Sequence, residues 1–298
     1  MTQKQVLMTR TPGETHWVGD GFPVRTAFHF REEMNPFLLL DYAGPTYFEP
    51  AEQPRGVGEH PHRGFETVTL VYQGALEHRD SGGHAGAIGP GDVQWMTAGS
   101  GLVHEEQHSE AFTRGGGHLE MAQLWLNLPK ADKMTTPRYQ NLTADRIPGV
   151  ELGPGAHGRV VAGTLAGVTG PAQTFTPVTV ADLRMEAGGR ADFTLSEGHT
   201  AAVVLLRGSV VVNGETLKWQ GGSAVLNPWD EGVSIEAAED SLLLILSGEP
   251  IREQVAHYGP FVLNTQEELW QAFQDYREGK MGRLEPSANC RVCIRSAT

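Results

Sequence analysis

Short apolar runs separated by glycine turns are the feature that most restricts the fold of this chain. Residues 67–72, TVTLVY, are rich in β-branched side chains and end at Gly74, and similar runs occur at residues 201–206, 223–226 and 241–246. Runs of this length, bounded by turn residues, predict β-strands. The 37 glycines and 18 prolines favour turns over long helices. The sequence therefore predicts an all-β protein.

The strand pattern occurs twice along the chain. In LVYQGALEH a strand ends on a glycine turn and a second strand follows at once, and VLLRGSVVV repeats this arrangement in the second half. A chain of 298 residues is long enough for two domains of ordinary size. The stretch 130–170 has little periodicity and would join them. We therefore expect two related antiparallel β-barrels, in residues 1–140 and residues 141–298, with the second region also carrying a C-terminal helix and tail.

The helix is predicted from a capping signal near the end of the chain. Thr265 is followed three residues later by Glu268, which is the spacing of a capping box, and Gly279 lies where a C-terminal cap belongs. An apolar stripe follows the cap and is formed by Leu269, Trp270, Phe273 and Tyr276. We expect this helix to pack across a barrel.

Charge and composition exclude several classes of function. A formal net charge of −13 argues against direct binding to nucleic acid. No apolar run approaches the roughly 20 residues that cross a bilayer, and the N-terminus lacks the features of a secretory signal, so the cytoplasm is the expected location. Cys290 and Cys293 are the two cysteines, and we expect a reduced tail instead of a disulfide framework.

Two pairs of potential metal ligands carry the chemistry. His60 and His62 are two residues apart just before a strand, so both imidazoles point to one face of an extended segment. His104 and Glu106 have the same spacing after a glycine-rich turn, with Glu105 facing the other way. Four ligands can therefore converge from two neighbouring strands. The pattern predicts one metal ion per chain.

The donor set indicates the class of metal. Three neutral imidazoles and one carboxylate suit a borderline divalent ion: iron(II), nickel, copper, manganese, cobalt or zinc. In an octahedral ion, four protein ligands leave two open positions, which is typical of a catalytic site. Glu66 competes with Glu106 for the carboxylate position, because it follows the HxH pair closely. The pattern favours Glu106 and names no substrate-binding residue.

Four strings in the chain resemble the pirin family of the cupin superfamily. They are NPFLLLDYAG at 35–44, HPHRGFETVTLVYQG at 60–74, PGDVQWMTAGSGLVHEE at 90–106 and GPFVLNTQEELWQAFQDY at 259–276. The resemblance extends over nearly the whole chain, apart from the tail after about residue 282. It implies a bicupin, in which two jelly-roll barrels pack face to face and only the N-terminal barrel binds metal.

The resemblance also implies ligands and activities. Its ligand set is His60, His62, His104 and Glu106, with iron(II) as the favoured metal. Bacterial members of quercetin 2,3-dioxygenase type act on flavonols with dioxygen, and Glu106 is then the candidate catalytic base. The alternative is a regulatory protein without enzymatic activity, whose metal responds to redox state and which binds another protein. We favour the dioxygenase and expect a monomer.

Overall fold

The computed structural model describes residues 2–284, and their architecture confirms the predicted all-β class. All strand pairs within the named sheets are antiparallel. Cys290 and Cys293 lie outside the described residues, so the prediction about the tail stays a prediction. No helix in residues 2–284 is both long enough and apolar enough to cross a membrane.

Eleven strands within the described region form the first barrel, as a seven-stranded and a four-stranded sheet. These strands are β2 (His16–Val18), β3 (Phe22–His29), β4 (Phe37–Phe48), β5 (Gly56–His62), β6 (Phe65–Gln73), β7 (Leu76–Asp80), β8 (Ala85–Ile88), β9 (Val93–Thr97), β10 (Leu102–His108), β11 (Gly117–Asn127) and β12 (Arg138–Leu142). The large sheet has the order β12-β9-β6-β11-β4-β3-β2, and the small sheet has the order β5-β10-β7-β8. A short helix, α1 (Glu110–Gly115), joins β10 to β11.

The second barrel repeats this arrangement with eleven described strands. They are β1 (Val6–Arg10), β13 (Gly149–Gly153), β14 (Ala156–Ala162), β17 (Val178–Met185), β18 (Arg190–Thr194), β19 (Thr200–Arg207), β20 (Val210–Val212), β21 (Glu215–Leu217), β22 (Gly222–Leu226), β23 (Gly232–Ala237) and β24 (Ser241–Gly248). Its large sheet has the order β1-β22-β19-β24-β17-β14-β13, and its small sheet has the order β18-β23-β20-β21. Two hairpins complete the set: β15 (Thr164–Leu165) with β16 (Val168–Thr169), and β25 (Ala256–Tyr258) with β26 (Phe261–Leu263).

The two large sheets pack face to face, as the resemblance implied. Val68 and Trp95 of the first barrel share one buried apolar core with Val204 and Leu244 of the second. Because this core draws side chains from both halves, the outer faces of the two large sheets are buried against each other instead of in water. The buried Glu120 carboxylate also accepts a hydrogen bond from Arg207 across this interface, at 2.7 Å.

Each end of the chain packs on the barrel formed by the other half of the sequence. Strand β1, from the N-terminal region, pairs with β22 of the second barrel. Near the other end, helix α2 (Gln266–Arg277) packs with Val103 of the first barrel, and Asp275 of α2 binds Arg63. The division of the chain between residues 140 and 141 stays a prediction, and each barrel is completed by a segment from the far end of the sequence.

Helix α2 begins as the capping signal predicts. Thr265 accepts from the Glu268 amide, and the Glu268 side chain accepts from the Thr265 amide. Leu269 is buried and Phe273 packs beside it, but Trp270 of the predicted apolar stripe is 72% exposed. A residue one step from Leu269 is rotated by about 100° around the helix, which turns Trp270 away from the barrel.

The interiors of the two barrels differ in chemistry. The second barrel is filled by buried aliphatic and aromatic side chains, among them Phe193, Leu205, Ile235 and Leu243. The first barrel has buried histidines and carboxylates on its small sheet, as described below. A closely packed apolar interior offers no ligand atoms to a metal. The buried histidines that could bind a metal therefore lie in the first barrel.

Candidate metal centre

Strands β5 and β10 hold the predicted histidines side by side. The two strands pair antiparallel, with His104 opposite His60 and Leu102 opposite His62. His60 and His62 are at the end of β5, two residues apart, so their side chains project to the same face. The two-residue alternation of a strand, predicted from the sequence, therefore brings the imidazoles together.

The three imidazoles form a compact cluster. One ring nitrogen from each of His60, His62 and His104 lies within 4.8 Å of the nitrogens of the other two. Their ring centroids are 4.4 Å apart for His60 and His104 and 5.0 Å apart for His62 and His104. His104 is fully buried, His62 is buried and His60 is partly exposed. Neutral imidazoles at this separation could hold a divalent metal between them.

Hydrogen bonds from outside the cluster orient two of the rings. His60 Nδ1 donates to the Gly58 carbonyl oxygen at 2.7 Å, and His62 Nδ1 donates to the Pro260 carbonyl oxygen at 3.4 Å. Because a carbonyl can only accept, these bonds place the proton on Nδ1 and leave Nε2 of both rings free as a ligand. This is the arrangement that metal-binding histidines usually have.

The surroundings of the His104 ring show that this site fits a metal. Both of its nitrogens are buried and have no hydrogen-bond partner within residues 2–284. Burying polar atoms without partners is costly, and a metal ion would satisfy one of these nitrogens. Burial also lowers the pKa of His62 and of His104 well below the ordinary value, and the neighbouring imidazoles lower it further. Both rings are therefore neutral near pH 7, as ligands must be.

Glu106 lies beside the cluster, although its carboxylate is not within the 4.8 Å group formed by the imidazoles. It is buried on the same face of β10 as His104, with the partly exposed Glu105 between them on the other face. Its Oε2 and Oε1 accept from Gln123 Nε2 at 3.0 and 3.3 Å. Burial raises the pKa of Glu106, while His60, Gln123 and Thr69 oppose this rise.

Gln123 is expected to control the position of the Glu106 carboxylate, since it is the hydrogen-bond donor to both oxygens. Replacing Gln123 with Leu should therefore weaken metal binding by roughly 10- to 100-fold, the usual cost of removing a group that orients a ligand. Affinity would be measured by competition with a chelator of known strength. Gln107→Leu is the control, because Gln107 adjoins Glu106 but faces the other side of β10. Equal affinities for both variants and the wild type would contradict this role.

Glu66 was the alternative carboxylate, and the structure turns it away from the imidazoles. Across β6 and β11, Thr67 pairs with Trp125 and Glu66 pairs with Leu126. Trp125 contacts the ring of His62, whereas Leu126 belongs to the core between the barrels. Because successive side chains of a strand point to opposite faces, Glu66 faces the other barrel. Of these two candidate carboxylates, Glu106 is thus the one on the side of the cluster.

Replacing Glu66 with Gln is expected to stabilise the protein in alkaline solution. Glu66 is fully buried, and its Oε1 accepts from Thr97 Oγ1 at 2.7 Å. Burial raises the pKa of Glu66 to about 7 from an ordinary value of 4.5. The stability that comes from keeping the proton is complete below pH 4.5 and is lost as the pH rises to about 7.

Gln resembles the protonated acid and does not ionise. The variant should therefore match the wild type near pH 4.5 and exceed its free energy of unfolding by about 3 kcal/mol at pH 8. Urea unfolding at the two pH values measures this difference. A constant difference between the two proteins across this range would show that Glu66 does not titrate there.

Aromatic rings form a wall on one side of the cluster. The centroid of His62 is 5.1 Å from that of Phe65 and 5.4 Å from that of Trp125, and Phe65 and Trp125 are 4.3 Å apart. The partly exposed Trp125 offers an apolar surface beside the imidazoles. A separate cleft of about 620 Å³ lies elsewhere, with Phe37 of the first barrel and Thr200 of the second in its wall. None of the three histidines lines this cleft.

The sequence predicted that the three imidazoles meet, as they do, and Glu106 as a ligand stays a prediction, but the spacing did not indicate the side chains that surround the cluster. Gln123 and Trp125 lie on β11 in the string AQLWLN, which reads only as a buried strand. Tyr139 on β12 stacks on His78, with ring centroids 4.9 Å apart. No spacing rule connects these positions to the HxH pair, because only strand pairing brings them close.

Comparisons with known proteins agree with this geometry. The family model described as Pirin matches residues 21–126, and the model described as Pirin C-terminal cupin domain matches residues 180–282. The first match includes all four predicted ligands. The second covers most of the barrel with the apolar interior, together with helix α2.

Individual relatives match over most of their length. A Pseudomonas aeruginosa protein provisionally named quercetin 2,3-dioxygenase is 52% identical over 285 residues, which are 94% of this chain and 99% of that protein. The crystal structure of a quercetin 2,3-dioxygenase from Acinetobacter baumannii superposes with a TM-score of 0.93 at 46% identity, covering 95% of this chain and 100% of the other. Mouse pirin is 34% identical over 84% of each chain.

Proposed function

The chain belongs to the pirin family, and from this premise we propose that it is a metal-dependent dioxygenase of flavonols such as quercetin. The reaction would open the heterocycle, consume dioxygen and release carbon monoxide. The observation that carries the proposal is the cluster of three imidazoles, in which both nitrogens of the buried His104 lack partners within residues 2–284. Two relatives with quercetin 2,3-dioxygenase names support the substrate class.

His60, His62 and His104 would hold the metal, with Glu106 as the fourth ligand. Iron(II) is the ion we favour, and nickel, copper, manganese, cobalt and zinc suit the same donors. A bound divalent metal supplies positive charge that lowers the pKa of a hydroxyl group next to it. We expect one ion per chain, in a monomer located in the cytoplasm.

The remaining chemistry falls to side chains around the cluster. Glu106 is the general base, because it is a buried carboxylate on the same face of β10 as His104 and so lies next to the imidazoles. Gln123 holds both Glu106 oxygens and so fixes the direction of the base. Trp125 and Phe65 exclude water from the side of His62 and match the flat surface of an aromatic substrate.

The test is to incubate the protein with quercetin in air after loading it separately with each of the six metals. Formation of carbon monoxide and of the ring-opened ester, both measured directly, is the expected result with at least one metal. Protein freed of metal with a chelator is the control and should give neither product. No product with any metal would eliminate the flavonol dioxygenase.

A specific contact favours a second candidate function, that of a metal-responsive protein that binds another protein. His62 donates to the carbonyl of Pro260, in a segment that also presents Tyr258 with 69% exposure and Trp270 with 72% exposure. A change at the metal could therefore reach an exposed aromatic surface. Hydrogen exchange of residues 256–277 would then depend on metal in a protein without turnover. A metal-independent exchange pattern would contradict this alternative.

A further inference from the structure

A row of polar side chains crosses the inner face of the large sheet in the first barrel. Five strands contribute one residue each, and each residue is directly opposite the next: Thr26 with Asp41, Asp41 with Gln123, Gln123 with Thr69, and Thr69 with Gln94. Residues opposite each other on paired strands share a face of the sheet. The five side chains therefore form one polar row across the inner face of this sheet.

The row faces the metal cluster. Gln123, in its middle, donates to both oxygens of Glu106 on the opposite sheet. Asp41, on β4, is directly opposite Gln123, on β11. The Cβ atoms of such cross-strand pairs are about 5 Å apart. Asp41 is thus on the same face of the sheet as Gln123, one strand further from the cluster.

The carboxylate of Asp41 is only half satisfied. Its Oδ1 accepts from Thr26 Oγ1 at 2.5 Å, whereas its Oδ2 has no hydrogen bond from any residue of the described part, 2–284. No lysine or arginine of the described part forms an ion pair with it. Burial raises the pKa of Asp41, with Thr26, His16 and His29 acting in the opposite direction. A partly desolvated carboxylate with a free oxygen gains from a bound hydrogen-bond donor.

Resting on the proposed function, we propose that Asp41 is a second anchoring point for the substrate and accepts a hydrogen bond from a phenolic hydroxyl. The substrate class is a polyphenol whose one end reaches the imidazoles and whose other end carries the hydroxyl. An aromatic donor fits better than an aliphatic amine, because Trp125 lies two residues from Gln123 on the same face and presents a flat ring beside His62.

Two flavonols separate this anchoring point from metal binding. Quercetin and 3-hydroxyflavone share the 3-hydroxy-4-oxo group, but 3-hydroxyflavone lacks the ring hydroxyls. Affinities are measured by calorimetry on the metal-loaded full chain without dioxygen, so that no turnover occurs. The wild type should bind quercetin about tenfold or more tightly than 3-hydroxyflavone, the value of one hydrogen bond to a charged acceptor.

Asp41→Leu should reduce this preference to about twofold or less through loss of quercetin affinity, with 3-hydroxyflavone affinity unchanged. Asp41→Asn keeps the shape and one acceptor oxygen, so its preference should be intermediate. Asp145→Asn is the matched control, because Asp145 is exposed on the surface and should leave the preference as in the wild type. Retained 3-hydroxyflavone binding shows that each variant is folded and holds metal.

The possible outcomes distinguish the two proposals. A wild-type preference that persists unchanged in Asp41→Leu overturns the role of Asp41 and leaves the flavonol function standing. Equal wild-type affinities for both flavonols overturn it as well. Failure of the metal-loaded wild type to bind either flavonol overturns the proposed function itself.

Discussion

Replacing His104 with Ala is expected to abolish metal retention and flavonol turnover together. His104 is the fully buried member of the cluster, and its two nitrogens have no other partner within residues 2–284. Without it the two remaining imidazoles and Glu106 cannot surround an ion, because His60 and His62 come from one strand and approach from one side. We expect less than 1% of the wild-type metal content after dialysis, measured by elemental analysis.

His108→Ala is the matched control for this experiment. His108 is buried on the same strand and the same face as His104, but its Nε2 donates to the Gly21 carbonyl oxygen at 3.0 Å. The control should lose stability through this hydrogen bond, by about 1 kcal/mol, and keep its metal. A His104→Ala protein that retains metal would refute the assignment of the centre.

Replacing Arg63 with Met is expected to lower the free energy of unfolding by about 3 kcal/mol, as for other buried ion pairs that lose one partner. Arg63 directly follows His62 and joins its strand to helix α2. Its Nη1 lies 2.8 Å from Asp275 Oδ2, with side-chain exposures of 6% and 13%, and its Nε donates to the Ser100 carbonyl oxygen at 2.7 Å. The substitution leaves a buried carboxylate without its main counter-charge.

The effect of Arg63→Met should depend on pH. Burial by itself would raise the pKa of Asp275, but hydrogen bonds from Arg63, Gln271 and Lys280 lower it to about 2 from 3.8. The stability that this carboxylate provides is therefore present above pH 3.8 and is lost as the pH falls to about 2. The difference between wild type and variant, measured by urea unfolding, should shrink over this range.

Two further variants separate the charge from its packing. Lys280 also contacts Asp275, at 3.0 Å, but its side chain is 56% exposed, so Lys280→Met should destabilise the protein much less than Arg63→Met. The double variant Arg63→Met with Asp275→Leu should regain part of the stability, because no unpaired charge remains buried. If the double variant is no more stable than Arg63→Met, the loss comes from packing and not from the charge.

The local spacing of residues was enough to predict several elements. Turn-bounded apolar runs gave the all-β class, and Thr265 with Glu268 gave the start of α2, which the structure confirms. The HxH and HxE spacings predicted that three imidazoles lie close together, which the structure confirms. These features depend on the period of a strand or helix, which is a property of neighbouring residues. That the cluster binds metal stays a prediction.

The choice between Glu66 and Glu106 required the tertiary structure. Eight consecutive residues of β6, from Phe65 to Tyr72, are buried, so both faces of this strand are covered and no alternation shows which face holds the imidazoles. Only the pairing of Thr67 with Trp125, and the packing of Leu126 between the barrels, turn Glu66 away from the cluster. A strand buried on both sides does not reveal its orientation in its sequence.

Contacts between distant segments of the chain also depended on the tertiary structure. Strand β1 completes the second barrel, and the carbonyl of Pro260 reaches His62 across 198 residues of sequence. The row that contains Asp41 and Gln123 exists only through the register of its strands. The sequence by itself determined which side chains could bind a metal, because strand periodicity is local. The tertiary structure decided what surrounds them, because register and packing join residues that no short-range pattern connects.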